Sequence, residues 1–134
     1  MLDDIVRNIE DIVGTDDFDF MVEEYVEQLE TENIGIEAVT PILMIMERHP
    51  LEDFGVPGAL VHFAEKFYRN GYEEKLVESL KRRPSIHTVW MLNRIINGGE
   101  NAEEYLKLME DISSRSDIEY EIRNSAKEFV AFNN

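Results

Sequence analysis

Thr40-Pro41-Ile42-Leu43-Met44-Ile45-Met46-Glu47-Arg48-His49-Pro50 is the stretch that decides the fold class. Five successive apolar side chains, Ile42 to Met46, cover most of a helix circumference, so the segment reads as a central and largely buried helix. The same run is the longest apolar stretch in the chain and falls far short of the ~20 residues a membrane-spanning helix needs. It stops at His49-Pro50, because the residue before a proline is pushed out of the helical region. At its start, Thr40-Pro41 reads as a cap followed by the first helical residue. If the helix begins nearer Ile36, Pro41 should kink it.

Outward from this segment, apolar residues recur at three- and four-residue spacing. Leu2, Ile5, Val6, Ile9, Ile12 and Val13 form a first stripe ended by Gly14, and Phe18, Met21, Val22, Tyr25, Val26 and Leu29 a second. Thr15 or Asp16 is placed to cap the second, and Asn33 and Gly35 interrupt it. Downstream, Leu51 to Val56 reads as a loop, and Pro57 starts a fourth helix that carries Leu60, Val61, Phe63, Ala64, Phe67 and Tyr68 up to Asn70-Gly71. Tyr72, Leu76, Val77 and Leu80 mark a fifth, ended by Arg83-Pro84. Ser85 caps a sixth, with Ile86, Val89, Trp90, Leu92 and Ile96 inward and Gly98-Gly99 closing it. Asn101 with Glu104 and Ser116 with Glu119 have the spacing of capping boxes. They open a seventh helix (Ala102, Tyr105, Leu106, Met109, Ile112) and an eighth (Ile118, Ile122, Ser125, Ala126, Phe129, Phe132).

No stretch alternates with period two for long enough to be a strand. The expectation is a single all-α domain over 1–134, with about eight short helices in antiparallel pairs. Starts near 41, 72 and 102 give a step of roughly 30 residues, the scale of helical repeats. A HEAT/ARM-like α-solenoid is therefore preferred over an irregular helical bundle, although the pairs share no repeat motif.

Composition narrows the function. A content of 43% apolar residues with four prolines argues against disorder. The absence of cysteine removes disulfides, thiolate metal sites and cysteine nucleophiles. Met1-Leu2-Asp3-Asp4-Ile5-Val6-Arg7 lacks the basic start and unbroken apolar run of a signal peptide, so a soluble cytoplasmic protein is expected. The 29 Asp and Glu against 13 Lys and Arg give a net charge of −16 and a pI near 4.4. Such a balance disfavours direct nucleic-acid binding, which needs clustered Lys and Arg.

The charge is uneven. Residues 1–37 hold thirteen acids against the single base Arg7, whereas 71–99 is net +2. Asp16, Asp19, Glu23, Glu27 and Glu30 follow helical spacing opposite the apolar stripe of the second helix. A solvated face explains such a run. Yet like charges four apart destabilise a helix by about 0.2–0.5 kcal/mol per pair, so their concentration is equally an argument for a basic partner drawn in by electrostatic steering.

No catalytic constellation stands out. There is no Gly-x-Ser-x-Gly elbow, phosphate-cradling loop or dinucleotide fingerprint, and neither an enzyme activity nor a cofactor is expected. His62 and Glu65 have the His-x-x-Glu spacing of helical metal sites, which require further inward carboxylates. Here both share the polar side of their helix with Lys66 and Arg69, so they read as surface residues. His49 precedes Pro50 at a helix end, where a cation suits the dipole. His87, one turn inside the sixth helix, reads as a partner contact or a plain surface residue.

Two segments are more specified than packing requires: Asp53 to His62, whose two glycines and proline fix the approach to a helix, and Pro84 to Arg94, with the only tryptophan followed by Asn93 and Arg94. Trp and Arg commonly anchor interfaces. The alternative is that Trp90 is core while Asn93 and Arg94 tie neighbouring loops together, and for Trp90 the core reading is preferred.

From Phe54 to Asn97, the stretches Gly-Val-Pro-Gly-Ala-Leu-Val-His-Phe-Ala-Glu-Lys-Phe and His-Thr-Val-Trp-Met-Leu-Asn-Arg-Ile-Ile-Asn resemble small all-helical immunity proteins of bacterial polymorphic-toxin systems of the contact-dependent inhibition type. The resemblance covers about a third of the chain. It implies non-catalytic neutralisation, in the cytoplasm, of a cognate toxin, often a nuclease, and carries no particular contact residue with it. The partner-binding candidates are Asp16, Asp19, Glu23, Glu27, Glu30, His62, Glu65, His87, Asn93 and Arg94. The alternatives are a HEAT-like adaptor that binds a basic protein and a helical metalloenzyme using His62 and Glu65.

Overall fold

The fold, from a computed structural model, is described for residues 1–133. Among the described residues it contains eight α-helices, one short 3-10 turn and no strand. The helices are α1 (Leu2–Ile12), α2 (Phe18–Thr31), α3 (Val39–Arg48), α4 (Ala59–Glu65), α5 (Tyr72–Arg82), α6 (Ile86–Asn97), α7 (Ala102–Ser113) and α8 (Tyr120–Asn133), with the 3-10 turn at Ile36–Ala38 before α3. The described chain is all-helical, as the apolar spacing predicts.

α3 packs between α1 and α5, α2 packs on both α1 and α4, and α6 contacts α3, α5, α7 and α8. Ile42, Leu43, Ile45 and Met46 are fully buried, so the segment that decided the fold class is indeed interior. α6 is equally central: His87, Thr88, Val89, Met91, Leu92, Asn93, Ile95 and Ile96 are all buried. The core continues from Ile5 and Ile9 of α1 through Leu60, Phe63, Tyr72, Leu76 and Leu80 to Met109, Ile112, Ile122 and Ala126.

Ion pairs link neighbouring elements. Glu10 of α1 takes Arg48 and His49 at the end of α3, each at 2.5 Å, and Glu47 of α3 takes Arg82 of α5 at 2.8 Å. Arg83 reaches Glu119 at 2.9 Å. Glu30 likewise pairs with Lys66, Glu65 with Arg94, and Arg69 with Glu100. The exposed pairs among these contribute about 0–1 kcal/mol each, so they fix register more than they stabilise; the Glu47 side chain, at 10% exposure, is the buried exception.

Several local expectations fail for identifiable reasons. Neither Thr15 nor Asp16 caps α2: Asp17 stands at the cap position without a side-chain bond, and the Thr15 hydroxyl donates back to the Ile12 carbonyl at 2.7 Å. Pro41 is the third residue of α3, where its missing N–H is one of the amides that lack an intrahelical partner anyway, so it neither starts nor kinks the helix. Pro57 lies outside α4, which begins at Ala59 behind Gly58 in a positive-φ conformation (φ 89°). α4 ends at Glu65, and its last predicted turn becomes a series of tight turns through Arg69 at φ 67°. Asn101 sits left-handed with no side-chain cap, and Glu119 precedes α8 and is held by Arg83 instead of closing a box with Ser116. The cap at Ser85 does form, and reciprocally: Ser85 Oγ accepts from the Thr88 amide at 3.0 Å and Thr88 Oγ1 from the Ser85 amide at 2.9 Å.

Candidate partner-binding face

The outer face of α2 is the most one-sided surface of the molecule. Its inward residues Phe18, Val22, Val26 and Leu29 are buried, which forces the intervening acids outward. Asp16, Asp19, Glu23, Glu27 and Glu30 are all exposed, as is His62. Of the thirteen acids in residues 1–37, only Asp4, Glu10 and Glu30 form ion pairs among the described residues. The other ten leave their field directed at solvent. In a helix this dense in like charge the repulsion is uncompensated locally, so a cationic surface gains from every side chain at once.

Grooves with apolar floors flank this ridge. Between α1 and α2 a groove of about 460 Å³ is lined by Met1, Asp4, Ile5, Glu24, Glu27 and Glu32, among others. Between α2 and α4 a second, of about 410 Å³, is lined by Val26, Ala59 and Phe63 together with Glu23, Glu27, Glu30, His62 and the base Lys66. Glu27 borders both. Phe20, 76% exposed, adds a bare aromatic ring near the start of the ridge. Charge that draws a partner in and apolar floor that holds it are thus adjacent.

The remaining candidates do not join this face. Glu65 and Arg94 bind each other, with Arg94 Nε and Nη2 donating to the carboxylate at 2.7 and 3.0 Å. Arg94 also lies 5.2 Å over the half-buried Trp90 ring, and the Glu65 carboxylate raises its already high pKa. Asn93 is buried and accepts from Asn133 Nδ2 at 2.9 Å, so it ties α6 to the end of α8. His87, expected as a surface residue or partner contact, is 5% exposed. Its neighbours explain the difference: Phe54 folds down from the preceding loop and covers it edge-on at 5.5 Å. Nothing in the spacing of α6 announces that cover, because it comes from a residue 33 positions earlier.

Glu65 is engaged by Arg94, and no group of three His, Asp or Glu side chains placed to hold a metal ion occurs among the described residues. Nor is any described helix long and apolar enough to cross a membrane. What the fold and this face together define is an all-helical bundle with one strongly acidic, grooved side. No protein-family model, curated protein or solved structure matches the chain.

Proposed function

We propose that this chain is an immunity protein that binds and neutralises a cognate toxin domain, docking a basic surface of the toxin on the α1–α2 face and in the groove between α2 and α4. The observation that carries the reading is the exposed and mostly unpaired acidic ridge of α2 between two apolar-floored grooves. The resemblance of Phe54 to Asn97 to helical immunity proteins supports the same reading. Inhibition is by occlusion: the ridge occupies the cationic surface that a nuclease toxin uses for phosphates, and the grooves take apolar side chains at its rim.

Co-purification with the product of the adjacent upstream gene tests the reading first. A triple charge reversal, Glu23→Lys, Glu27→Lys and Glu30→Lys, then tests the face. It should slow association by about tenfold or more at low salt and flatten the salt dependence of binding. Unchanged association rates would remove the ridge from the interface, and failure of any neighbouring gene product to bind would remove the immunity role.

A further inference from the structure

Phe54 is the one side chain of loop 51–58 that is buried. Phe54 is 2% exposed, whereas Leu51 and Val56 on either side are 51% and 85% exposed. The Phe54 ring stands edge-on to Phe18 of α2 at 5.7 Å and edge-on to His87 of α6 at 5.5 Å. His87 in turn tilts against Trp90 at 5.3 Å. Its Nε2 is buried with no hydrogen-bond partner among the described residues. One wall of the Phe54 seat is therefore an aromatic ring that can acquire charge.

We propose that His87 is an acid-operated latch: protonation of its imidazole unseats Phe54, frees loop 51–58 from α6 and, through Phe18, loosens α2. The neutral ring packs as one more aromatic in the row Phe18, Phe54, His87, Trp90. The imidazolium carries a second N–H donor, and at Nε2 that donor faces no acceptor in a seat closed to water, which is a costly place for a charge. Burial therefore holds His87 below the usual imidazole range, with Asp53 and the Pro57 backbone pulling the other way. The charged groups around the seat are few. Asp53 of the covering loop attracts the proton; Glu52 and Asp19 line, with Asp53, the small cleft on the outer side of Phe54.

The sign follows from the lowered value. The closed state binds the His87 proton less readily than an open chain does. It is thus fully favoured above the open-chain pKa of about 6.5 and loses up to about tenfold per pH unit below it, until the closed-state value is reached.

The experiment follows the full-length chain from pH 8 to 5. It records the His87 ring resonances by NMR, the hydrogen exchange of the 51–58 amides corrected for intrinsic rates, and the emission of Trp90, the only tryptophan. His87→Phe is measured beside it, as is a His49→Gln/His62→Gln double variant that removes the other two histidines. In the wild type and the double variant, loop protection should fall by up to about tenfold per pH unit below 6.5, while His87→Phe should stay flat. A His87 that titrates at the ordinary imidazole value in the folded chain overturns the latch. So does loop protection that falls equally in His87→Phe, or does not fall in the wild type. If His87→Phe fails to fold at pH 8, the wild-type resonances and loop exchange decide the matter alone.

Discussion

Glu47 offers the sharpest test of the packing between α3 and α5. Its carboxylate is 8% exposed and accepts three bonds, from the Ser79 hydroxyl at 2.7 Å, from Arg82 Nη2 at 2.8 Å and from Arg82 Nε at 3.1 Å. Glu47→Ala removes all three. Ser79 is fully buried and is left with an unsatisfied hydroxyl, which costs about 1–3 kcal/mol, and the lost charge-assisted bonds account for about 1.5–3 kcal/mol. The Arg82 side chain is 38% exposed and recovers water, so the total should lie near 3 kcal/mol, short of the ~5 kcal/mol that breaking a fully buried pair reaches. For a chain of this length that is a fall in Tm of about 10 °C. Arg82→Ala should cost about 2 kcal/mol, because a nearly buried carboxylate keeps only Ser79, and Ser79→Ala about 1 kcal/mol, because Arg82 still satisfies Glu47. Urea denaturation of the three single variants and the Glu47→Ala/Arg82→Ala double should show a coupling of about 1 kcal/mol or more. If Glu47→Ala and Arg82→Ala each change stability by less than ~0.5 kcal/mol, the contact behaves as an ordinary surface ion pair, and the reasoning from burial is refuted.

Other perturbations probe other parts of the fold. Ser85→Ala should lower stability by about 1 kcal/mol in chemical denaturation, because it removes the α6 cap and leaves the buried Thr88 amide without its acceptor; a neutral result would mean the cap is not formed in solution. Raising salt from about 10 mM to about 0.15 M should increase Tm, since screening relieves the self-repulsion of residues 1–37 more than it weakens the ion pairs; a fall in Tm would show the pairs dominate. Arg94→Lys keeps the charge but loses the two-pronged grip on Glu65 and the stacking on Trp90. It should cost about 1 kcal/mol by urea titration and shift Trp90 emission at unchanged helicity, and an unmoved emission would place Arg94 away from the ring.

The legible parts of the fold were those set by burial along one helix. The apolar stripes of α1, α2, α5 and α6 place those helices within a residue or two, because the spacing of Ile5 and Ile9 or of Leu76 and Leu80 is decided by the face they share. Helix ends were less legible because they are decided elsewhere. Glu119 has the right spacing from Ser116 for a box, but Arg83, 36 residues away, takes its carboxylate. Thr15 has the right chemistry for a cap, but the preceding turn offers its hydroxyl a nearer carbonyl. The acidic face was legible for the same reason as the stripes, since Asp19, Glu23, Glu27 and Glu30 are forced outward by what the opposite side of α2 buries. His87 and Asn93 were not, because their covers, Phe54 and Asn133, arrive from distant parts of the chain.

The long-range pairs between elements also bear on how the fold forms as the chain is made. Each bridging pair joins residues 29 to 40 positions apart, as Glu65 to Arg94, Glu10 to His49 and Asn93 to Asn133 do. A chain growing from its N-terminus therefore closes each layer only when the next hairpin emerges. α6 waits longest, since its inner side meets α3 and α5 while its outer side is sealed by α7 and α8. A product halted near Gly99 would leave that outer side of α6 wet, with Asn93 deprived of Asn133. The α7–α8 hairpin is thus a lid on α6, and a translation arrest ahead of it would leave that side of α6 uncovered.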